Sequence, residues 1–395
     1  MPKTIATTPS WYWPEGLSRV IGVPPYSIIE LGVDRWINSD QIALRGQGVN
    51  YTYKEVRDLV EKVKCYINSA ASENGKVAIV IGATPQGAIL ALGAVESNCN
   101  VYLYPKNEAY KANQINPSLV LTDDLGSLGS GFDAGKVVSL DEIVGNESQS
   151  SEDGLINIGK LRFPHICFSG KFGDAWHSNR SLLASGLSFA AFFSQSEGSG
   201  WLSTYSPGTW QGFTSLVSAL YSKSVYTLSD TQDHFVENFK DPSLGWLILP
   251  IESAESHILS LGRKGRPSTF KTAVIGVEGV FSPDLRREIS GFVGQALTLY
   301  GMAESGPMLA SHPTWFLDEA TGIPLPNMNL NPADPDTNEI IDALWEFLDQ
   351  AMILAYSPSL AIPQSDSSNY VGNHLVTGAL AASDPNGMLY ILDEV

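Results

Sequence analysis

The chain has 395 residues and a mass of 42.6 kDa, enough for two or three lobes at about 150 residues per domain. Hydrophobic residues make up 43% and aromatic residues 10%, which excludes wholesale disorder. Twenty-four Lys and Arg face 42 Asp and Glu, a formal net charge of −18, so bulk binding to nucleic acid or anionic membrane is excluded for lack of a positive field.

Ser27 to Ala43 reads as a helix followed by a short strand. In the next segment Thr52 and Glu55 have the spacing of a capping box, and Val56, Leu59, Val60 and Val63 share one helical face. Lys76 to Ile81 is an apolar run of the buried parallel-strand kind, Thr84 to Glu96 a helix, Val101 to Pro105 and Ser118 to Thr122 two further strands. This alternation predicts βαβ units around a parallel sheet.

Gly126 to Asp153, rich in Gly, Ser and acids, reads as a surface connection. A second α/β block follows, with strands at Phe163–Ser169, Trp201–Tyr205, Ser224–Leu228, Gly245–Leu249, Thr272–Val277 and Ala296–Tyr300. Helices fall at Arg180–Ser194, Phe213–Tyr221, Glu252–Leu261 and Pro283–Val293. After Pro307 the pattern shifts to Pro, Asn, Asp and short strands. The expectation is an α/β fold: two parallel-sheet subdomains, 1–150 and 151–307, packed together, and a small β-rich subdomain at 308–395. No Lys or Arg follows Arg287, so the last stretch offers no cation to a phosphate.

Three widely spaced cysteines, Cys65, Cys99 and Cys167, with no CxxC, suit reduced thiols in a cytoplasmic protein. Met1 to Gly16 has no apolar core of a secretory signal, and no run of 18 apolar residues predicts a membrane span. GxSxG and HExxH are absent, and the six histidines share no ligand spacing. Gly129-Ser-Gly131 follows a polar loop rather than a buried strand, unlike a dinucleotide site.

Three segments carry chemistry. Phe168-Ser169-Gly170-Lys171-Phe172-Gly173-Asp174, between a strand and a helix, is either a phosphate loop with amides aimed at an anion or an ordinary turn. Tyr300-Gly301-Met302-Ala303-Glu304 ends a strand in an aromatic, a glycine and a carboxylate, suited to stacking on a flat ring and holding a hard cation. Thr377-Gly378-Ala379 leads to the hairpin signal Asp384-Pro-Asn-Gly387.

In this order, the segments resemble the adenylate-forming superfamily of acyl-CoA synthetases, peptide-synthetase adenylation domains and luciferases. Thr52-Tyr-Lys-Glu-Val is similar to its TYxEL, and Asn98 to Pro105 to the end of its first βαβ unit. Ser206-Pro-Gly-Thr-Trp210-Gln-Gly212 is similar to its acyl-pocket segment, Gly276-Val-Glu278-Gly279-Val-Phe-Ser-Pro283 to its GGExLSP, Tyr300 to Glu304 to YGxTE, and Thr377 to Ala379 to TGD. The resemblance implies an AMP-forming acid–thiol ligase. ATP would contact Ser169, Gly170, Lys171, Gly173, Glu278, Gly279, Tyr300 and Gly301, with Mg²⁺ at Glu304, which would also be catalytic. A carboxylate would lie near Trp210, Gly212, Gly276 and Met302, and CoA would be a candidate acceptor.

The chain departs from that pattern where charge matters. Lys171 and Phe172 replace loop hydroxyls, and Asp174-Ala-Trp-His177 stands in place of Pro-Lys-Gly, with Asp174 expected to repel a triphosphate. Ala303 replaces the Thr of YGxTE and Ala379 the Asp of TGD. The family's Gly-Arg after the last strand falls where this chain reads Tyr390-Ile-Leu-Asp393-Glu394-Val395. The family's C-terminal lid with its Lys is expected to be absent. Expectation therefore divides between a weak carboxylate ligase, a non-catalytic binding module, and a half-enzyme completed by a lid-bearing partner.

Overall fold

The structure is a computed structural model that describes residues 8, 10, 12–71, 75–128, 132, 136–145, 160–193, 198–259, 272–312, 319–341, 350–363, 369–384 and 386–394. Gly129–Gly131, much of the expected connection from Gly126 to Asp153, Pro385 and Val395 lie outside the described residues.

The local signals became elements. Thr52 caps the helix Tyr53–Ala70, and both arms of the Thr52–Glu55 capping box are present. That helix buries Val56, Val60 and Val63. Thr84 caps Pro85–Glu96 through its hydroxyl, with Pro85 in the first turn, where a missing N–H costs nothing. Val77–Ile81 is buried at every position.

Three sheets organise the chain. The first has six strands, in spatial order Val137–Ser139, Leu119–Thr122, Val77–Ile81, Val101–Pro105, Ile166–Gly170 and Gly173–His177. The second has nine, and its core strands Tyr226–Leu228, Gly200–Ser203, Leu244–Pro250, Ala273–Val277 and Gln295–Met302 are parallel. A small antiparallel sheet of Asn329–Ala333, Ala351–Tyr356, Tyr370–Val371, His374–Ser383 and Leu389–Glu394 completes the fold. Helices Asn179–Phe192 and Trp210–Tyr221 pack together with Pro85–Glu96 in one shared core.

The two large sheets exchange strands across position 150. Ile42–Gly46 and Val49–Thr52 join the nine-stranded sheet beside Tyr226–Leu228, and Ile166–Gly170 joins the six-stranded sheet beside Val101–Pro105. Gly306–Ala310 and Ile323–Pro324 also extend the nine-stranded sheet, by antiparallel pairing. Among the described residues, no helix is long and apolar enough to cross a membrane.

The segment from Phe168 to Asp174 differs from the strand–loop–helix expectation. Gly170 pairs with Gly173 across the two-residue turn Lys171–Phe172, and a return strand runs to His177. Gly173 sits at φ +111°, a conformation open to glycine and disfavoured for other residues. Only after this hairpin does Ser178 cap the helix Asn179–Phe192.

Candidate functional site

A cavity of about 710 Å³ opens where the two large sheets meet. Its walls come from segments that follow strands, Gly82–Ala83, Lys106–Glu108 and Thr204–Ser206, together with Pro250 and Gly301–Ala303. The carboxyl ends of parallel strands are where open α/β sheets form binding crevices. Of the residues singled out from sequence, Ser169, Gly170, Lys171, Trp210, Glu278, Gly301 and Met302 line it.

The others stand outside this lining. A Cβ on Gly276 would strike Phe281 and Ile251, so that glycine serves the packing of its strand, Ala273–Val277. A Cβ on Gly212 would strike the Ser206 carbonyl, which makes it a close-approach residue at the start of Trp210–Tyr221. Gly173 belongs to the return strand of the hairpin, and Gly279 follows Glu278 outside the cavity. Tyr300 is buried beside the cavity wall and touches the lining residue Glu394 through its hydroxyl.

Glu304 is walled off from the cavity. Its Oε1 accepts a hydrogen bond from the Phe172 amide at 2.8 Å, and Gly170 lies so close that a Cβ there would collide with the carboxylate. The residue is 5% exposed, and its Oε2 is buried with no hydrogen-bond partner. Burial pushes this carboxyl above the ordinary range, against the Phe172 amide and the Lys171 charge, which pull it down. His177 holds the neighbouring backbone: Nε2 lies 2.7 Å from the Ala303 carbonyl and donates to it. Burial lowers the His177 pKa to about 4.

A divalent cation does not fit this arrangement. Oε2 of Glu304 is an orphan carboxylate oxygen, but it is sealed behind the hairpin turn. Among the described residues, no group of three His, Cys, Asp or Glu could hold a metal.

Asp174 is not among the residues that line the cavity, but it stands directly opposite Ser169, which is, and its charge helps hold the Tyr102, Tyr104 and Cys167 protons in place behind the larger effect of burial. Cations that sequence reasoning passed over also approach. Lys111 Nζ donates to Ser169 Oγ at 2.5 Å while pairing with Glu108 at 2.9 Å. Lys106 lines the cavity and pairs with Asp123 and Asp124, each at 3.5 Å. The signal was available in the Lys106–Lys111 stretch immediately after a buried strand, where a chain enters a crevice.

Lys171 bridges to the small sheet. Its Nζ lies 3.2 Å from Glu394 Oε2 and 3.4 Å from the Gly378 carbonyl, while Tyr300 donates to Glu394 Oε1 at 3.0 Å. Burial, then the adjacent Glu394 charge, pushes the Tyr300 phenol well up. At another wall, Glu278 Oε1 accepts from Gln211 Nε2 at 2.7 Å. Glu278 adopts φ +65°, where a side chain is strained. Burial and the neighbouring Glu252 charge raise its pKa. Among the described residues, the lining holds two lysines, Lys106 and Lys171, against four carboxylates, Glu108, Asp230, Glu278 and Glu394, a net acidic set.

No family model matches the chain, and no curated protein matches it. Solved structures do. A long-chain-fatty-acid-CoA ligase, FadD1, from Archaeoglobus fulgidus superposes with a TM-score of 0.79 at 11% identity, covering 95% of this chain and 85% of that one. The nonribosomal peptide synthetase FmoA3 in its AMPPNP-bound form gives 0.81 at 14% identity, covering 97% of this chain and 44% of that one, so this chain spans less than half its length. O-succinylbenzoate coenzyme A synthetase, MenE, from Bacillus subtilis with ATP and magnesium gives 0.75 at 14% identity over 91% and 78%.

Proposed function

From the fold of the adenylate-forming enzymes, which this chain carries, we propose that it binds a small acyl or aryl carboxylate in the cavity, with a nucleotide beside Gly301, and that its adenylation is weak or lost. One observation carries the second half: among the described residues, the lining sets four carboxylates against two lysines. In-line attack on an α-phosphate needs positive charge where negative charge develops. Here Lys106 and Lys171 are both already paired to acids. The sealed Glu304, the carboxylate that resemblance assigns to Mg²⁺, points the same way.

What the chain's own residues do is bind and orient. Trp210 and Met302 offer apolar walls, Ser169 and Thr204 hydroxyls, and Gln211 an amide fixed by Glu278. This suits a non-catalytic binding module as a second reading, favoured by the same charge count. ATP–pyrophosphate exchange with a panel of carboxylates, alongside calorimetry with ATP·Mg²⁺, tests it. The expected result is carboxylate binding with exchange near background. Brisk AMP formation by the pure chain would overturn the weak-adenylation reading.

A further inference from the structure

We propose that the Tyr300 hydroxyl and the Lys171 ammonium form a subsite for one anionic group of a ligand, a carboxylate or a phosphoryl monoester, and that Glu394 is its internal occupant and competitor. The inference rests on the reading of the cavity as a small-molecule site.

The subsite is drawn by the anion already in it. The two oxygens of a single carboxylate are shared between two donors, the phenol at 3.0 Å and the ammonium at 3.2 Å. The donors come from different sheets, Tyr300 from Gln295–Met302 and Lys171 from the hairpin turn. Glu394 comes from a third, the strand Leu389–Glu394, and it lines the cavity together with Lys171. Its backbone is fixed by pairing with Ala379, while its side chain is 51% exposed. The carboxylate can therefore rotate into solvent without disturbing the sheet.

Charge sets the ligand class. One ammonium and one phenol match one anionic group. A polyphosphate would bring further negative charge against Glu108, Asp230 and Glu278 on the same walls. A ligand must also displace Glu394 from its charge-assisted hydrogen bonds, so removing Glu394 leaves the phenol open and the ammonium held only by the Gly378 carbonyl. A half-exposed ion pair of this kind is worth about 0.2–1 kcal/mol, which converts to roughly a 1.5- to fivefold gain in affinity.

Calorimetry with AMP, adenosine, inorganic phosphate and acetate on the full chain tests this, comparing the unaltered protein with Glu394→Gln, Glu394→Ala and the double variant Glu394→Gln/Lys171→Met. The expected result is tighter binding of AMP and phosphate in both single variants, an unchanged response to adenosine, and loss of the gain in the double variant. An unchanged affinity in both single variants, or a gain that survives Lys171→Met, would overturn the subsite. If phosphate and acetate gain while AMP binds no better than phosphate, the subsite stands and the nucleotide reading falls. If AMP binds equally well to all four proteins, the nucleotide reading stands and the subsite falls. No binding of any anion to any of them overturns both.

Discussion

The Glu304 carboxylate and the Phe172 amide, 132 positions apart in the chain, meet at 2.8 Å. The contact closes the hairpin turn over the one carboxylate that the sequence pattern marked for a cation. The hairpin is therefore held by what it hides. Gly170 is the tightest point, because a Cβ there would meet the Glu304 carboxylate and the Gly173 carbonyl. Gly170→Ala is expected to lower stability by about 1–3 kcal/mol, as other overpacked sites do. Urea denaturation at neutral pH measures it, and an unchanged midpoint would show that the turn gives way freely.

Glu96, the last residue of the helix Pro85–Glu96, is enclosed at its carboxyl, where Asn179 Nδ2 approaches Oε1 at 3.3 Å. Burial raises its pKa from 4.5 to about 7, opposed by hydrogen bonds and the more distant Lys64 and Arg57 charges. The protonated form is thus favoured in the fold. Its contribution is fully present below about pH 4.5 and is lost as pH rises through 7. Glu96→Gln is expected to be more stable than the unaltered chain at pH 8, by about 2–3 kcal/mol, with the difference closing towards pH 4.5. Paired urea curves across that range check it.

His177 works in the opposite sense. Buried and donating to the Ala303 carbonyl, it stays neutral, with a pKa lowered to about 4. Its contribution is present above pH 6.5 and is lost as pH falls through 4. The chain should lose stability over that window, and His177→Gln should flatten the loss while weakening the anchor at Ala303. A His177 ring-proton resonance, assigned by its loss in His177→Gln, that titrates near the ordinary pKa of about 6.5 would contradict this.

Glu278 holds φ +65°, a conformation that costs a side chain roughly 1–3 kcal/mol. Glu278→Gly is expected to raise the melting temperature, offset in part by the added freedom of the unfolded chain. A lower melting temperature would show that the Gln211–Glu278 hydrogen bond outweighs the strain.

Much of the scaffold was legible locally. The capping box at Thr52 and Glu55, the Thr84 cap with Pro85, and the apolar run Val77–Ile81 specify their elements through contacts a few residues apart. The site was legible only as a set of segments. Gly276 and Gly212, placed by resemblance in a substrate pocket, serve packing against Phe281 and against the Ser206 carbonyl. Asp174, read as facing the phosphate locus, stands opposite Ser169 across the hairpin with Tyr102 and Tyr104 within reach of its charge, a placement that only the register of the return strand decides.

Composition and local pattern alone determined the α/β alternation, the helix starts and the overall negative charge. Tertiary structure decided which sheet received Ile42–Thr52 and Ile166–His177. It also sealed Glu304 and brought Lys171 to Glu394 across 223 positions. Caps and periodicity act over one or two turns. Strand pairing and charge contacts between distant segments depend on register and burial, which no short window of sequence contains.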